Sequence, residues 1–77
     1  MIRVFSSPFC VYCATLKQFL KEHNIEFEDI DVLQDKEGAQ EMIEKTQQMS
    51  IPVIEINGEF ILGFNKKRIS ELLGIKD

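Results

Sequence analysis

The 77-residue sequence predicts an α/β protein in which a four-stranded mixed sheet is flanked by three helices, in the order βαβαββα. Three observations carry that prediction. Apolar residues recur at helical spacing in three segments, and strand-like runs separate them. Asn57-Gly58 stands between two apolar runs and suits a two-residue type I′ hairpin, which requires positive φ at both central positions. The first two strands are joined through a helix and should be parallel, while the hairpin adds two antiparallel strands.

The elements follow from local chemistry. Ile2 to Phe5 reads as a short buried strand, and Ser6-Ser7-Pro8-Phe9 as the loop after it. The first helix is expected from about Val11 to His23. Cys13, Leu16, Phe19 and Leu20 share one face of it, whereas Thr15, Lys17, Gln18, Lys21 and Glu22 face water. Asn24 suits the left-handed residue that closes such a helix. Ile25 to Val32 is strand-like, yet its apolar residues change frame between Phe27 and Ile30, as in an edge strand or a bulge. Asp35 is placed to cap a second helix running to about Gln47, with Ala39, Met42 and Ile43 inward. Gly38 should weaken that helix by about 1 kcal/mol relative to alanine. Pro52 to Ile56 and Phe60 to Leu62 form the hairpin arms. The last helix begins at the N-cap Asn65, carries Ile69, Leu72 and Leu73 inward, and stops at Gly74.

Two cysteines are present, as Cys10-Val11-Tyr12-Cys13 at the expected start of the first helix. Helix N-termini offer unpaired N–H groups and the positive end of the macrodipole, which favour a thiolate, the nucleophile of disulfide exchange. Cys10 would attack and Cys13, one turn deeper, would resolve. Other uses of the pair compete with this one. With no further cysteine and one histidine, a single chain does not complete a zinc ligand set. A structural disulfide across so short a loop removes little chain entropy, and two inert core thiols remain an alternative.

Hydrophobic residues make up 44% of the chain and charged residues 29%, the balance of a globular domain, expected to span residues 1–77 as one unit. A net charge of −4 argues against nucleic acid as a partner. Apolar runs fall well short of the 18 or so residues that would cross a bilayer, so no membrane role is expected. Met1 to Ser6 runs into a strand pattern without the apolar region of a signal peptide, so the expected compartment is the cytoplasm. A C-x-x-C there serves redox chemistry or metal binding more often than cross-linking.

On these residues the chain resembles the glutaredoxins and the closely similar glutaredoxin-like redoxins, over nearly all of its length. The matching motifs are Cys10-Val11-Tyr12-Cys13, Ser50-Ile51-Pro52 before the third strand and Gly63-Phe64-Asn65 before the last helix. The resemblance implies a thioredoxin-like fold and a glutathione-dependent thiol–disulfide oxidoreductase that works through the Cys10/Cys13 dithiol. It further implies a cis Ile51-Pro52 bond, with the backbone of Ile51 offered to an extended substrate. Glutathione or substrate contacts are implied at Tyr12, Ile51, Pro52, Gly63, Phe64, Asn65 and Lys66. Glutathione is the implied co-substrate, with no metal, in a monomer. Implied clients are disulfide-containing proteins such as ribonucleotide reductase, peroxiredoxins or methionine sulfoxide reductases.

Three departures from the family pattern stand out. Val11 replaces a frequent proline, Ser7 stands where a basic residue is common, and Asn65-Lys66 replaces an acidic pair. They admit two alternatives: a redoxin reduced by thioredoxin reductase, and an iron–sulfur cluster carrier using Cys10 and a glutathione thiol from each of two chains. Lys66, Lys67 and Arg68 crowd the first turn of the last helix, where the dipole disfavours cations by about 0.3–1 kcal/mol each. They either draw glutathione's carboxylates to that helix start or form a solvated face. His23 reads as a cation at a helix C-terminus, Lys17 as a solvated lysine or, folded back, as a group that tunes the thiolate, Tyr12 as groove or packing, and Phe9 and Phe64 as apolar rim or core.

Overall fold

The computed structural model describes residues 1–75. Along the chain run β1 (Ile2–Ser6), α1 (Val11–Glu22), β2 (Glu28–Asp31), α2 (Lys36–Thr46), β3 (Val53–Ile56), β4 (Glu59–Leu62) and α3 (Lys66–Leu73). The sheet order is β2-β1-β3-β4. β1 is parallel to β2 and antiparallel to β3, and β4 is antiparallel to β3. This is the expected mixed sheet and the expected βαβαββα order.

Alternation along β1 sends Val4 and Phe5 to opposite faces, and each face has its own core. Val4, Ile54, Ile56 and Ile61 pack with Leu16, Phe19 and Leu20 of α1 and Ile69 of α3. Phe5, Ile30 and Val53 pack with Met42 of α2 on the other side. Each such side chain stabilises the fold by about 1.5–3 kcal/mol through burial.

Three expectations are corrected. The second strand starts only at Glu28: Ile25 and Phe27 precede it and pack on the α1/α3 core, while Ile30 packs on the α2 core. β2 is an edge strand, one of the two expected explanations, and the frame change falls at the junction between approach segment and strand, because the four β1–β2 pairs run without a bulge. In α2 the fully inward residues are Gly38 and Met42, with Ala39 and Ile43 only half-buried. Gly38 is a close-packing position rather than a weak point, because a Cβ there would lie 2.6 Å from Ile30 Cγ2. In α3 Ile69, Leu72 and Leu73 face inward as expected, Ile69 fully buried and the other two half-buried against the core.

The punctuation matches the residues. Asn57 and Gly58 take φ of 49° and 95°, as a type I′ turn needs. Asp35 accepts the Gly38 N–H at 2.9 Å and caps α2. His23 caps the end of α1 with its ring 4.5 Å from that of Phe19, a helix-end contact.

One cluster was invisible in the sequence. The Arg3 guanidinium donates to Glu41 at 2.6 and 2.9 Å and to Glu55, and stands 5.2 Å from the Phe5 ring. Hydrogen bonds from Arg3 outweigh desolvation and hold the Glu41 carboxyl below its ordinary range. The folded chain thus binds the proton more weakly than the unfolded one, so this stability is complete above the unfolded carboxylate value of about 4.3 and is lost as pH falls through the lower folded value. Thermal midpoints measured from about pH 7 down to about pH 3 should fall on the acid side, and Arg3→Met should flatten part of that fall.

Register places the candidate loops at one end of the sheet. Phe5 pairs with Val53 and Val53 with Leu62, so the segments after β1, before β3 and after β4 emerge side by side.

Candidate active site

Cys10 is the N-cap of α1, with an extended backbone (φ −102°, ψ 113°). The N–H of Cys13 donates to its sulfur at 3.2 Å, so one of the orphan donors of the first turn is aimed at Cys10 Sγ. No acidic side chain occupies that turn to compete for the positive end of the dipole.

The two sulfurs sit in different surroundings: Cys10 is half-buried and Cys13 is fully buried, both as free thiols. Burial pushes the Cys13 thiol up to about 12, and the hydrogen bond with Cys10 adds to that; the Ser7 backbone N–H and the Lys17 charge act in the opposite direction. One thiol is reachable from solvent at a helix terminus, and its neighbour is held in reserve behind it. Such a pair can form a mixed disulfide on the outer sulfur and close an internal disulfide from the inner one.

Around Cys10 the surface is apolar and open. Phe9, Val11 and Tyr12 are 86%, 77% and 69% exposed, so Tyr12 owes nothing to core packing. Ile51-Pro52 is cis, as the family resemblance implied. The Gly63 N–H donates to the Pro52 carbonyl at 2.8 Å, which ties the turn after β4 to the proline; Gly63 itself needs its φ of 72°.

Phe64 and Phe9 part company. Phe64 packs edge-on to Phe19 with centroids 5.6 Å apart and lies half-buried against the core, whereas Phe9 is rim. Asn65 is committed as a cap, its side chain accepting the Arg68 N–H at 3.1 Å. The basic turn also has protein partners: Arg68 donates to Glu59 at 2.7 and 3.1 Å, and Lys66 Nζ stands 5.8 Å from the Phe19 ring centroid. Lys66 lines an open groove of about 500 Å³ together with Ala14, Thr15, Gln18, Phe19 and Phe64.

Of the two expected positions of Lys17, the structure shows the folded-back one. It is not a solvated lysine: its side chain is 22% exposed, and its Nζ donates to Asp29 at 2.9 Å and to Ser6 at 3.3 Å. Ser6 in turn donates to Asp29 at 2.7 Å. Desolvation would raise Asp29, but the bonds from Lys17 and Ser6 and the charges of Lys17 and Lys21 prevail and lower it. Sequence reasoning missed Ser6 and Asp29 altogether. Their contact joins residues distant in the chain, and it becomes visible only with the β1–β2 register, which sets Asp29 beside inward-facing Val4.

Among the described residues, no group of three or more His, Cys, Asp or Glu side chains is placed to hold a metal ion, and no helix is long and apolar enough to cross a membrane.

Comparison with known proteins agrees with this geometry. Residues 2–61 match the family model for glutaredoxin. The chain is 41% identical over 73 residues to a glutaredoxin-like 8.6 kDa protein of the rubredoxin operon of Clostridium pasteurianum, covering 95% of this chain and 97% of that one. It is 29% identical to the glutaredoxin-like protein NrdH of Lactococcus lactis, over 94% of this chain and 99% of the relative. Among solved structures, a point mutant of the thioredoxin-like protein BC3987 superposes with a TM-score of 0.92 at 32% identity, covering 97% of this chain and 96% of that one. Buckwheat glutaredoxin in complex with glutathione superposes with a TM-score of 0.77 at 25% identity, covering 96% of this chain and 74% of that one. A βαβαββα fold with one accessible and one buried thiol at the start of its first helix, matched by the family model over most of its length, belongs to the glutaredoxin family of thiol–disulfide oxidoreductases.

Proposed function

We propose that the protein reduces protein disulfides and glutathione mixed disulfides through Cys10 and Cys13, with glutathione as its electron donor. The observation that carries the reading is the asymmetry of the two sulfurs: Cys10 half-buried with an N–H aimed at it, Cys13 fully buried one turn behind. The Cys10 thiolate attacks one sulfur of the client disulfide, whose other sulfur leaves as a thiolate. Cys13 then attacks Cys10, the client departs reduced, and two glutathione molecules reduce the internal disulfide to the dithiol.

The site residues take roles consistent with their positions. Ile51 offers its backbone to an extended client segment beside Pro52, and Tyr12 borders the bound glutathione. The turn Gly63-Phe64-Asn65 leads into α3, whose first N–H groups and Lys66 receive a glutathione carboxylate. The working compartment is the cytoplasm, where glutathione keeps thiols reduced. Ribonucleotide reductase, peroxiredoxins and methionine sulfoxide reductases are candidate clients.

A second reading has specific support: electrons supplied by a thioredoxin reductase. Ser7 offers no charge to glutathione, Asn65 is occupied as a cap, and Arg68 is held by Glu59, which leaves few groups for glutathione's carboxylates. Similarity to an NrdH protein over 94% of the chain points the same way. Coupled assays separate the two. NADPH oxidation should require glutathione with glutathione reductase; turnover with thioredoxin reductase alone, and none with glutathione, would replace the first reading by the second.

A further inference from the structure

The buried thiol presents a chemical difficulty that the Cys10–Cys13 pair does not itself resolve. Cys13 must become a thiolate to close the internal disulfide, yet it is fully buried and its environment favours the protonated form. The Ser7 backbone N–H favours that anion, and a cation nearby adds to it.

Lys17 is placed to do so. It lies four residues after Cys13 on α1, so the two side chains share one face of the helix. Its ammonium is held against the sheet between Ser6 at the end of β1 and Asp29 on β2, with Ser6 only 1% exposed and the Lys17 side chain 22% exposed. Such an anchor fixes a long, flexible side chain that would otherwise point into water. The Asp29 side chain is 48% exposed against 22% for Lys17, so water damps the carboxylate's field more than the ammonium's. The groups acting on Cys13 are Cys10 and Lys17 from its own helix and the Ser7 backbone N–H from the loop after β1, with Asp29 of β2 on the far side of Lys17.

We propose that Lys17 is the positioning residue of the resolving step: its ammonium, anchored by Asp29 and Ser6, supplies the positive charge that lets buried Cys13 act as a thiolate against the mixed disulfide on Cys10. In that step the Cys13 proton passes to solvent. The Cys13 sulfur forms a bond with the Cys10 sulfur while the bond from Cys10 to the client sulfur breaks, and the electron pair leaves on the client sulfur as a thiolate. The two cysteines are oxidised by two electrons and the client disulfide is reduced by two.

On this proposal Lys17 acts on Cys13, so its removal should slow the second step and not the first. If losing the charge moves Cys13 up by about one unit, the thiolate becomes tenfold scarcer but more nucleophilic, for a net slowing of about three- to fourfold. The proposal rests on the dithiol reading of the site.

Stopped-flow reaction of the reduced protein with dithiodipyridine, a neutral aromatic disulfide, tests both separately. A first thiopyridone is released as Cys10 attacks and a second as Cys13 closes the ring. Loss of both phases in Cys10→Ser tests the dithiol reading alone. Lys17→Met should leave the first phase unchanged, slow the second about threefold near pH 7, and move its pH profile to higher pH. Lys17→Arg, which keeps the charge in reach, should restore the second phase. Lys17→Gln, read in the same way, replaces the methionine variant if that one does not fold. The proposal is overturned if both phases slow together, if the second phase keeps its wild-type rate and profile, or if arginine rescues nothing.

Discussion

Cys10→Ser should reduce disulfide turnover to the uncatalysed rate, whereas Cys13→Ser should keep exchange with glutathione mixed disulfides and lose most protein-disulfide reduction. The difference follows from where the sulfurs lie. Cys10 is the sulfur at the helix start with an N–H directed at it, so no other group in the chain takes over its attack. Cys13, buried behind it, acts only after a mixed disulfide exists. Its advantage is intramolecular: well-oriented groups in one molecule react with effective concentrations of about 10⁵ M or more, far above any thiol in solution. Without Cys13, a client bound through Cys10 waits for an external thiol, and release should slow by at least about 100-fold. Deglutathionylation needs no such help, because free glutathione completes that exchange. Parallel assays with a disulfide-containing protein and with a small glutathione mixed disulfide check the prediction. Equal losses in both assays for both variants would show that the two sulfurs do not divide the work.

Gly38→Ala should destabilise the fold, although helix propensity alone predicts a gain of about 1 kcal/mol. The added Cβ would sit 2.6 Å from Ile30 Cγ2, closer than carbon atoms approach without something moving. Ile30 is β-branched and only 6% exposed, so its methyl has little freedom to retreat. Overpacking of this kind costs about 1–3 kcal/mol, enough to reverse the propensity term. Chemical denaturation of Gly38→Ala should give a lower midpoint than wild type with an unchanged slope. Combining it with Ile30→Ala, which removes the obstructing methyl, should cost less than the two single changes added together.

The same glycine shows what a sequence reveals and what it conceals. The hairpin at Asn57-Gly58, the caps Asp35 and Asn65, and the stops at Asn24 and Gly74 were legible because each depends on a few adjacent residues. The order of elements followed from them, and the C-x-x-C identified the thiols by proximity to the first helix start. Concealed features all join residues distant in the chain. Gly38 against Ile30, Arg3 between Glu41 and Glu55, and Lys17 reaching Ser6 and Asp29 exist only once the sheet and helices have come together. The β2 boundary was misjudged for a related reason: Ile25 and Phe27 are apolar because they cover a core, a demand that does not depend on being in a strand. At the site, the motifs located Gly63, Pro52 and the cap Asn65, while the packing of Phe64 on Phe19 needed coordinates.

β2 lies at one margin of the sheet, so one row of its backbone groups is not taken up by a neighbouring strand. An open margin invites a second molecule to add its own strand, the route by which sheet proteins assemble or aggregate. Here the strand is four residues long and reads Glu-Asp-Ile-Asp, and its approach contributes Glu26 as well. Two copies brought together along this edge would set carboxylates against carboxylates at nearly every position, with four residues' worth of hydrogen bonds at most in return. The acidic margin therefore works against pairing of two copies along β2.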